Sequence, residues 1–356
     1  MKYNQVEPDI SESDVNSVSE YLRSGGWITE HSKTIELEKE ISDFVGRKYA
    51  ISVPNGTIAI YLSLLALGLK NKRVAVPNLT MIATINAVLW ADLIPVLIDV
   101  DDDMCMSYDE LVKHENLDAV IFVPLNGRGG DGEKINNWCK ENGIYFIEDS
   151  AHALGSSYEN NMCGKLGNAS VISFTPHKII TMGQGGMILT DDKKQYEFLI
   201  NLKTFNRSKD KVDWHEGFGL NFKITDLQAT LGLSQFKRIN SLITNKKENY
   251  ENYLRYIKND AVSVIKFSKN EVPWFYDVKF NSPETKEKFS KQLNEAGIET
   301  RNLYPALSKQ KYLKKYCQNK YPKSENLFEK VLWLPSSNNL DQKDIKFISE
   351  KINSLN

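Results

Sequence analysis

Cysteine is scarce in this chain and never clustered. The four residues, Cys105, Cys139, Cys163 and Cys317, lie far apart and form no C-x-x-C. That spacing excludes a zinc knuckle and a disulfide framework. Lone thiols, behind a start that lacks an apolar signal-type run, fit a cytoplasmic setting. Neither sign of charge is in excess: 45 Lys and Arg against 46 Asp and Glu leave a net charge of -1. No basic face for nucleic acid and no acidic tail are expected. Long apolar runs are missing as well. The longest, near 87–100, is interrupted by Asp92 and Pro95, so no membrane-spanning helix is expected. His152 has no acidic or histidine neighbours at metal-binding spacing, and no metal site is expected.

What is present suits a globular protein. Of 356 residues, 41% are hydrophobic and 26% charged, enough for a large domain and a smaller one. Helical patterns run from Ser11 to Leu22 and from Thr34 to Val45, the second with Ile35, Leu37, Ile41 and Val45 assigned to one face. Tyr49–Val53 reads as a buried strand, and Asn55-Gly56-Thr57 turns into an apolar helix to Leu67. Short apolar runs follow at 73–76, 95–98, 119–123, 144–147, 169–174 and 187–190, with helix-like segments between several of them. Strands alternating with helices predict an α/β fold around a mainly parallel, mixed sheet. The character changes after about Gln235. A long polar helix over 239–257, an alternating strand over 273–280 and surface helices over 286–296 and 342–352 predict a smaller C-terminal α+β domain. The expected division is 1–236 and 237–356.

Two segments carry chemistry. One is Ile147-Glu148-Asp149-Ser150-Ala151-His152, and the other is Ser173-Phe174-Thr175-Pro176-His177-Lys178 followed by Gly183-Gln184-Gly185-Gly186. An acid at the end of one strand and a lysine after a later one are what pyridoxal 5'-phosphate (PLP) requires. The amine holds the cofactor as a Schiff base, and the acid keeps the pyridine nitrogen protonated. Gly56 and Thr57, where a strand gives way to a helix, offer free N–H groups to a phosphate. Each feature also has a plainer reading. Asp149 as a helix cap for a segment starting at Ala151, Lys178 as a solvated loop residue, and Asn55-Gly56 as an ordinary turn with Thr57 as cap all stay open on sequence alone. His152 fits a hydrogen bond to a ligand or a satisfied, half-buried histidine.

In order and spacing these motifs resemble the DegT/DnrJ/EryC1/StrS family of sugar aminotransferases, over nearly the whole chain. The resemblance also takes in Ser24-Gly25-Gly26-Trp27-Ile28-Thr29, Val76-Pro77-Asn78-Leu79-Thr80, Asn221–Ala229 and Gly297-Ile298-Glu299-Thr300-Arg301. It implies the fold type I, aspartate aminotransferase-like architecture. It also implies that Lys178 anchors the cofactor and shuttles the proton, that Asp149 meets the ring nitrogen, and that His152 lies near the ring hydroxyl. Gly56, Thr57 and Ser173 would contact the phosphate. Asn221 would reach the phosphate in a neighbouring subunit, making a homodimer the working unit. Three departures from the family pattern stand out. Met81 replaces an aromatic residue that stacks on the ring, Gln184 replaces a glutamate, and Pro124-Leu125-Asn126-Gly127-Arg128 replaces H-L-Y-G. The last two are expected near the substrate.

The activity so implied is transfer of an amino group from L-glutamate to a nucleotide-linked keto sugar, with pyridoxamine phosphate as the intermediate cofactor form. A 4-keto-6-deoxy hexose on UDP, GDP or dTDP is the leading substrate, with the product entering glycan, O-antigen or capsule synthesis. A 3-keto sugar and a small keto phosphate are alternatives. So are a PLP-dependent sugar dehydratase, in whose branch a histidine replaces the lysine, and a non-catalytic PLP-binding regulator.

Overall fold

The computed structural model describes residues 2–355. Seven strands form the larger sheet: β1 (Tyr49–Val53), β2 (Arg73–Pro77), β3 (Ile94–Ile98), β4 (Ala119–Phe122), β5 (Tyr145–Asp149), β6 (Ala169–Ser173) and β7 (Gly186–Thr190). Their order is β1-β7-β6-β5-β4-β2-β3. All run parallel except β7, which is antiparallel to both neighbours, from Tyr49 opposite Thr190 to Val53 opposite Gly186. These strands read as near-continuous apolar runs because helices cover both faces, and the interior of each is buried.

The helix Gly56–Ala66 shows how deep this covering goes. Ala59, Ile60, Leu62 and Leu64 are all buried, and they pack with Ile51, Val53, Val171 and Ile188 of the sheet. The helix Ser32–Val45 corrects one expectation. Its inward stripe is Thr34, Leu37, Ile41 and Val45, whereas Ile35 is 66% exposed. Two residues advance a helix by about 200°, so Ile35 and Leu37 cannot share a face.

The second sheet is wholly antiparallel, in the order β10-β11-β9-β8: β8 (Val262–Val264), β9 (Tyr276–Phe280), β10 (Arg301–Asn302) and β11 (Val331–Leu334). The helices Ile239–Tyr256, Pro283–Glu295 and Gln342–Asn353 pack with it around Tyr253, Tyr276, Val278, Phe289, Ile345 and Ile348. The strand expected from residue 273 begins only at Tyr276; Trp274 and Phe275 are instead buried in the joint between the sheets.

That joint is built on an ion pair. Arg128 Nη1 lies 2.6 Å from Asp277 Oδ2, and both side chains are withdrawn from solvent. Asp277 also accepts from Asn126 Nδ2 at 2.6 Å and Trp333 Nε1 at 2.7 Å. The guanidinium donates further to the Ile265 and Lys266 carbonyls and lies 3.6 Å from the Phe267 ring centroid. The turn that delivers these groups is tight. Asn126 sits at φ 55°, and a Cβ on Gly127 would lie 2.0 Å from the Val272 carbonyl oxygen. Asparagine tolerates that left-handed conformation, and only glycine fits the next position. Asn126 and Arg128, expected beside the substrate, therefore serve the joint between the sheets.

A buried ion pair resists loss of one partner more than loss of both. Asp277→Asn should lower stability by about 3 kcal/mol, whereas the double change Arg128→Met with Asp277→Leu should cost less. Urea denaturation of the three proteins checks this ordering.

Candidate active site

Parallel strands direct their carboxyl ends to one edge of a sheet, and loops leaving that edge enclose the ligand crevice of α/β proteins. Here the edge surrounds a cavity of about 310 Å³. After β1 come Asn55, Gly56 and Thr57; after β2, Thr80, Met81, Ala83 and Thr84; after β4, Val123. Asp149 ends β5, with Ala151 and His152 behind it. Ser173 ends β6, with Thr175 and Lys178 behind it. Antiparallel β7 starts at the same edge, which brings in Gln184. Gly56, Thr57, Met81, Asp149, His152, Ser173 and Lys178 thus share one cavity. Asn221 does not. It is exposed, away from this wall, and accepts from Lys223 Nζ at 2.5 Å.

The first turn of Gly56–Ala66 leaves backbone donors unused by the helix. Asn55 is the cap: its Oδ1 accepts from the Ile58 N–H at 3.0 Å, and its carbonyl takes the Ala59 N–H. Thr57 is therefore not the cap, and its N–H and that of Gly56 are left at the cavity wall. A Cβ on Gly56 would stand 3.2 Å from the Ser173 Cβ, so glycine keeps the space before these donors clear.

Asp149 is buried, and the chain turns after it without forming a helix, which removes the cap reading. Its carboxylate accepts a 2.9 Å hydrogen bond from Thr84 Oγ1 and a longer one, 3.4 Å, from the Ala151 N–H. Burial raises its pKa, opposed by the Thr84 hydroxyl and by the positive charge of Lys178. Lys178 is half-buried in the loop between β6 and β7. Removal of its amine from water, with help from the Arg301 charge, brings its pKa down to about 7 despite Asp149. His152 is buried against Trp274, with ring centroids 3.9 Å apart. Burial and the Lys178 and Arg301 charges hold it well below the usual histidine range, so it is neutral at pH 7. Its Nδ1 has no partner among the described residues.

These observations meet the demands of PLP. The cavity is of ligand size, with a helix N-terminus beside two hydroxyls for a phosphate. Among the described residues Asp149 bonds to no cation, and one buried ring nitrogen, in His152, is unpaired. Burial brings the amine's pKa down to about 7, so it can lose its proton near neutral pH. Met81, 41% exposed, lies on the cavity wall. Sequence reasoning passed over Thr84, which holds Asp149, and Trp274, which underlies His152 and Lys178. Thr84 carried no signal, since a threonine in the first turn of a helix is ordinary; its hydroxyl also meets that of Thr80 at 3.2 Å. Trp274 carried none, since an aromatic residue in an apolar segment is ordinary core.

A profile of the DegT/DnrJ/EryC1/StrS aminotransferase family matches residues 8–353. GDP-perosamine synthase of Escherichia coli O157:H7 is 33% identical over 364 aligned positions, covering 100% of this chain and 99% of that protein. The UDP-4-amino-4,6-dideoxy-N-acetyl-beta-L-altrosamine transaminase of Campylobacter jejuni serotype O:2 is 28% identical, covering 98% and 96%. Among solved structures, Spr1654 of Streptococcus pneumoniae in its PLP form superposes with a TM-score of 0.92 at 26% identity, covering 99% of this chain and 98% of that one.

Thr84→Val should raise the pKa of Asp149 further, because the hydroxyl favours the ionised form. The low-pH limit of PLP binding should therefore move to higher pH, read by absorbance titrations over a pH series.

Proposed function

The chain belongs to the DegT/DnrJ/EryC1/StrS family of PLP-dependent aminotransferases, and from that premise we propose that it transfers the amino group of L-glutamate to a nucleotide-linked 4-keto-6-deoxy hexose. The observation that carries the reading is the meeting of Lys178 and Asp149 in one cavity at the carboxyl edge of the sheet. The substrate class is supported by the relatives matched over their full length. One is named for a GDP sugar and one for a UDP-linked 4-amino-4,6-dideoxy sugar. An amine at C4 of a 6-deoxy sugar is what transamination of a 4-keto-6-deoxy precursor leaves. GDP is the carrier that the more similar of these two relatives favours.

We assign the residues as follows. The N–H groups of Gly56 and Thr57 and the Ser173 hydroxyl receive the phosphate, with the helix dipole behind them. Asp149, oriented by Thr84, keeps a proton on the ring nitrogen, and its negative charge is in turn favoured by that proton. His152 would lie beside the ring, and Met81 on the cavity wall would offer it a soft, polarizable side chain in place of an aromatic one. When bound, PLP withdraws electrons from the substrate carbon that bears the nitrogen. Lys178 would hold the cofactor covalently and, with its amine free, would carry the proton to and from the substrate carbon that bears the nitrogen. A pKa of about 7 suits both directions at neutral pH. The lysine itself favours transfer over the dehydratase reading, which calls for a histidine there. The intact set of anchor, acid and phosphate donors favours catalysis over a merely cofactor-binding regulator.

The working unit is proposed as a homodimer in a reducing, cytoplasmic setting. Trp27, Ile28, Trp214 and Phe218 are each more than half exposed, apolar surface that a second copy would cover. Asn221, useless to its own cavity, is free to serve a second copy. The four cysteines are all unpaired, and no described helix is long and apolar enough to cross a membrane. The division at 236/237 is supported by the packing of Ile239–Tyr256 with Gln342–Asn353 around the smaller sheet. One crossing qualifies it: Tyr3 bridges to Ile298, so the start of the chain lies with the C-terminal part.

The test is incubation with PLP, 15N-labelled L-glutamate and 4-keto-6-deoxy sugars on GDP, UDP and dTDP, followed by mass spectrometry. A labelled amino sugar is expected, and Lys178→Ala should reduce its formation by at least about 10³-fold. An unlabelled deoxy ketone would overturn transamination, and labelled product only from a 3-keto sugar or a small keto phosphate would overturn the substrate.

A further inference from the structure

We propose that Trp274 is a positioning residue for Lys178, holding the lysine's loop through its indole N–H and giving the free amine a seat on its ring face. The proposal rests on Lys178 being the residue that carries the cofactor.

Two contacts act on neighbouring residues. Trp274 Nε1 donates to the His177 carbonyl at 2.6 Å, and Lys178 Nζ lies 3.8 Å from the Trp274 ring centroid. One side chain thus fixes the backbone just before the lysine and meets the amine at the end of it. The indole is itself immobile. It is buried, stacks on Phe275 with centroids 3.8 Å apart, and lies against His152. Its backbone N–H donates to the Asn126 carbonyl at 2.9 Å, and its carbonyl accepts from Lys246 Nζ at 2.9 Å. Asn126 belongs to the Asp277 joint. Lys246 is a buried amine whose acceptors are the backbone carbonyls of Trp274 and Ser336. The ring is therefore clamped from both sheets.

A seat matters because a lysine stem has several rotatable bonds, and proton transfer requires the amine at one place. The charged surroundings set the sign of its effect. Asp149 favours the ammonium form; burial and Arg301 oppose it. His152 and His177 both have lowered pKa values and add no positive charge at neutral pH. The ring face, with its negative quadrupole, favours the ammonium form. Leucine at 274 would keep the site dry but remove that attraction, so the amine should lose its proton more readily.

The experiment is competitive acetylation of the full-length protein over a pH series, with Lys178 followed by the mass of its peptide. PLP should protect Lys178, whereas pyridoxamine phosphate, which leaves the amine free, should not. In the pyridoxamine phosphate form, Trp274→Leu should lower the labelling midpoint by about one pH unit and Trp274→Phe by about half a unit. Both variants lose the indole donor, so amide hydrogen exchange over residues 174–183 should quicken in each. A wild-type midpoint in both would overturn the proposal; if Trp274→Leu does not fold, a wild-type midpoint in Trp274→Phe alone would do so. Failure of PLP to protect wild-type Lys178 would instead overturn the cofactor reading, and this proposal with it.

Discussion

Withdrawal of one amine and one carboxylate from water, at the same edge of one sheet, is the constraint on which the site depends. In water Lys178 would hold its proton far above neutral pH and Asp149 would be ionised well below it. Burial pushes both toward their neutral forms, and their mutual attraction pushes both back. The balance leaves the amine able to gain or lose a proton near pH 7. It also leaves the acid in need of a positive partner, which a protonated ring nitrogen would supply.

The larger sheet makes this arrangement possible because six parallel strands end on one side. A donor, an acid and an amine from distant parts of the sequence arrive there at the ends of β1, β5 and β6. The apolar faces of that sheet keep the loops in register, and Thr84 supplies the hydroxyl that orients Asp149. The smaller sheet closes the arrangement from the other side. Asp277 gathers Arg128, Asn126 and Trp333, and the same turn holds the backbone of Trp274. A departure in sequence that looked like a change of substrate pocket is a structural joint one layer behind the wall. Gln184, the other such departure, does line the cavity.

Much of this was legible before the structure. The strands of a doubly covered sheet advertise themselves as short apolar runs, and all seven fell where those runs lie. The cavity side of the cofactor site was equally legible, because an acid and a lysine at strand ends are chemically unusual. What escaped was whatever depends on the third dimension. Thr84 and Trp274 belong to types that fill ordinary helices and cores, and only their distances to Asp149 and Lys178 give them roles. Asp277 interrupts an apolar strand, and its partner Arg128 lies 149 positions away, beyond any local pattern. Ile35 was placed by its apolarity on a face that helical geometry denies it. Asn221, expected to serve a neighbouring subunit, stands outside the cavity of its own chain.

The central claim is that Lys178 carries the cofactor. Borohydride reduction of the PLP-loaded protein fixes the cofactor to whichever amine holds it, and peptide mass mapping then names that amine. The account predicts the phosphopyridoxyl group on Lys178 and on no other lysine. The group found elsewhere, or a Lys178 peptide of unmodified mass from fully loaded protein, would contradict it.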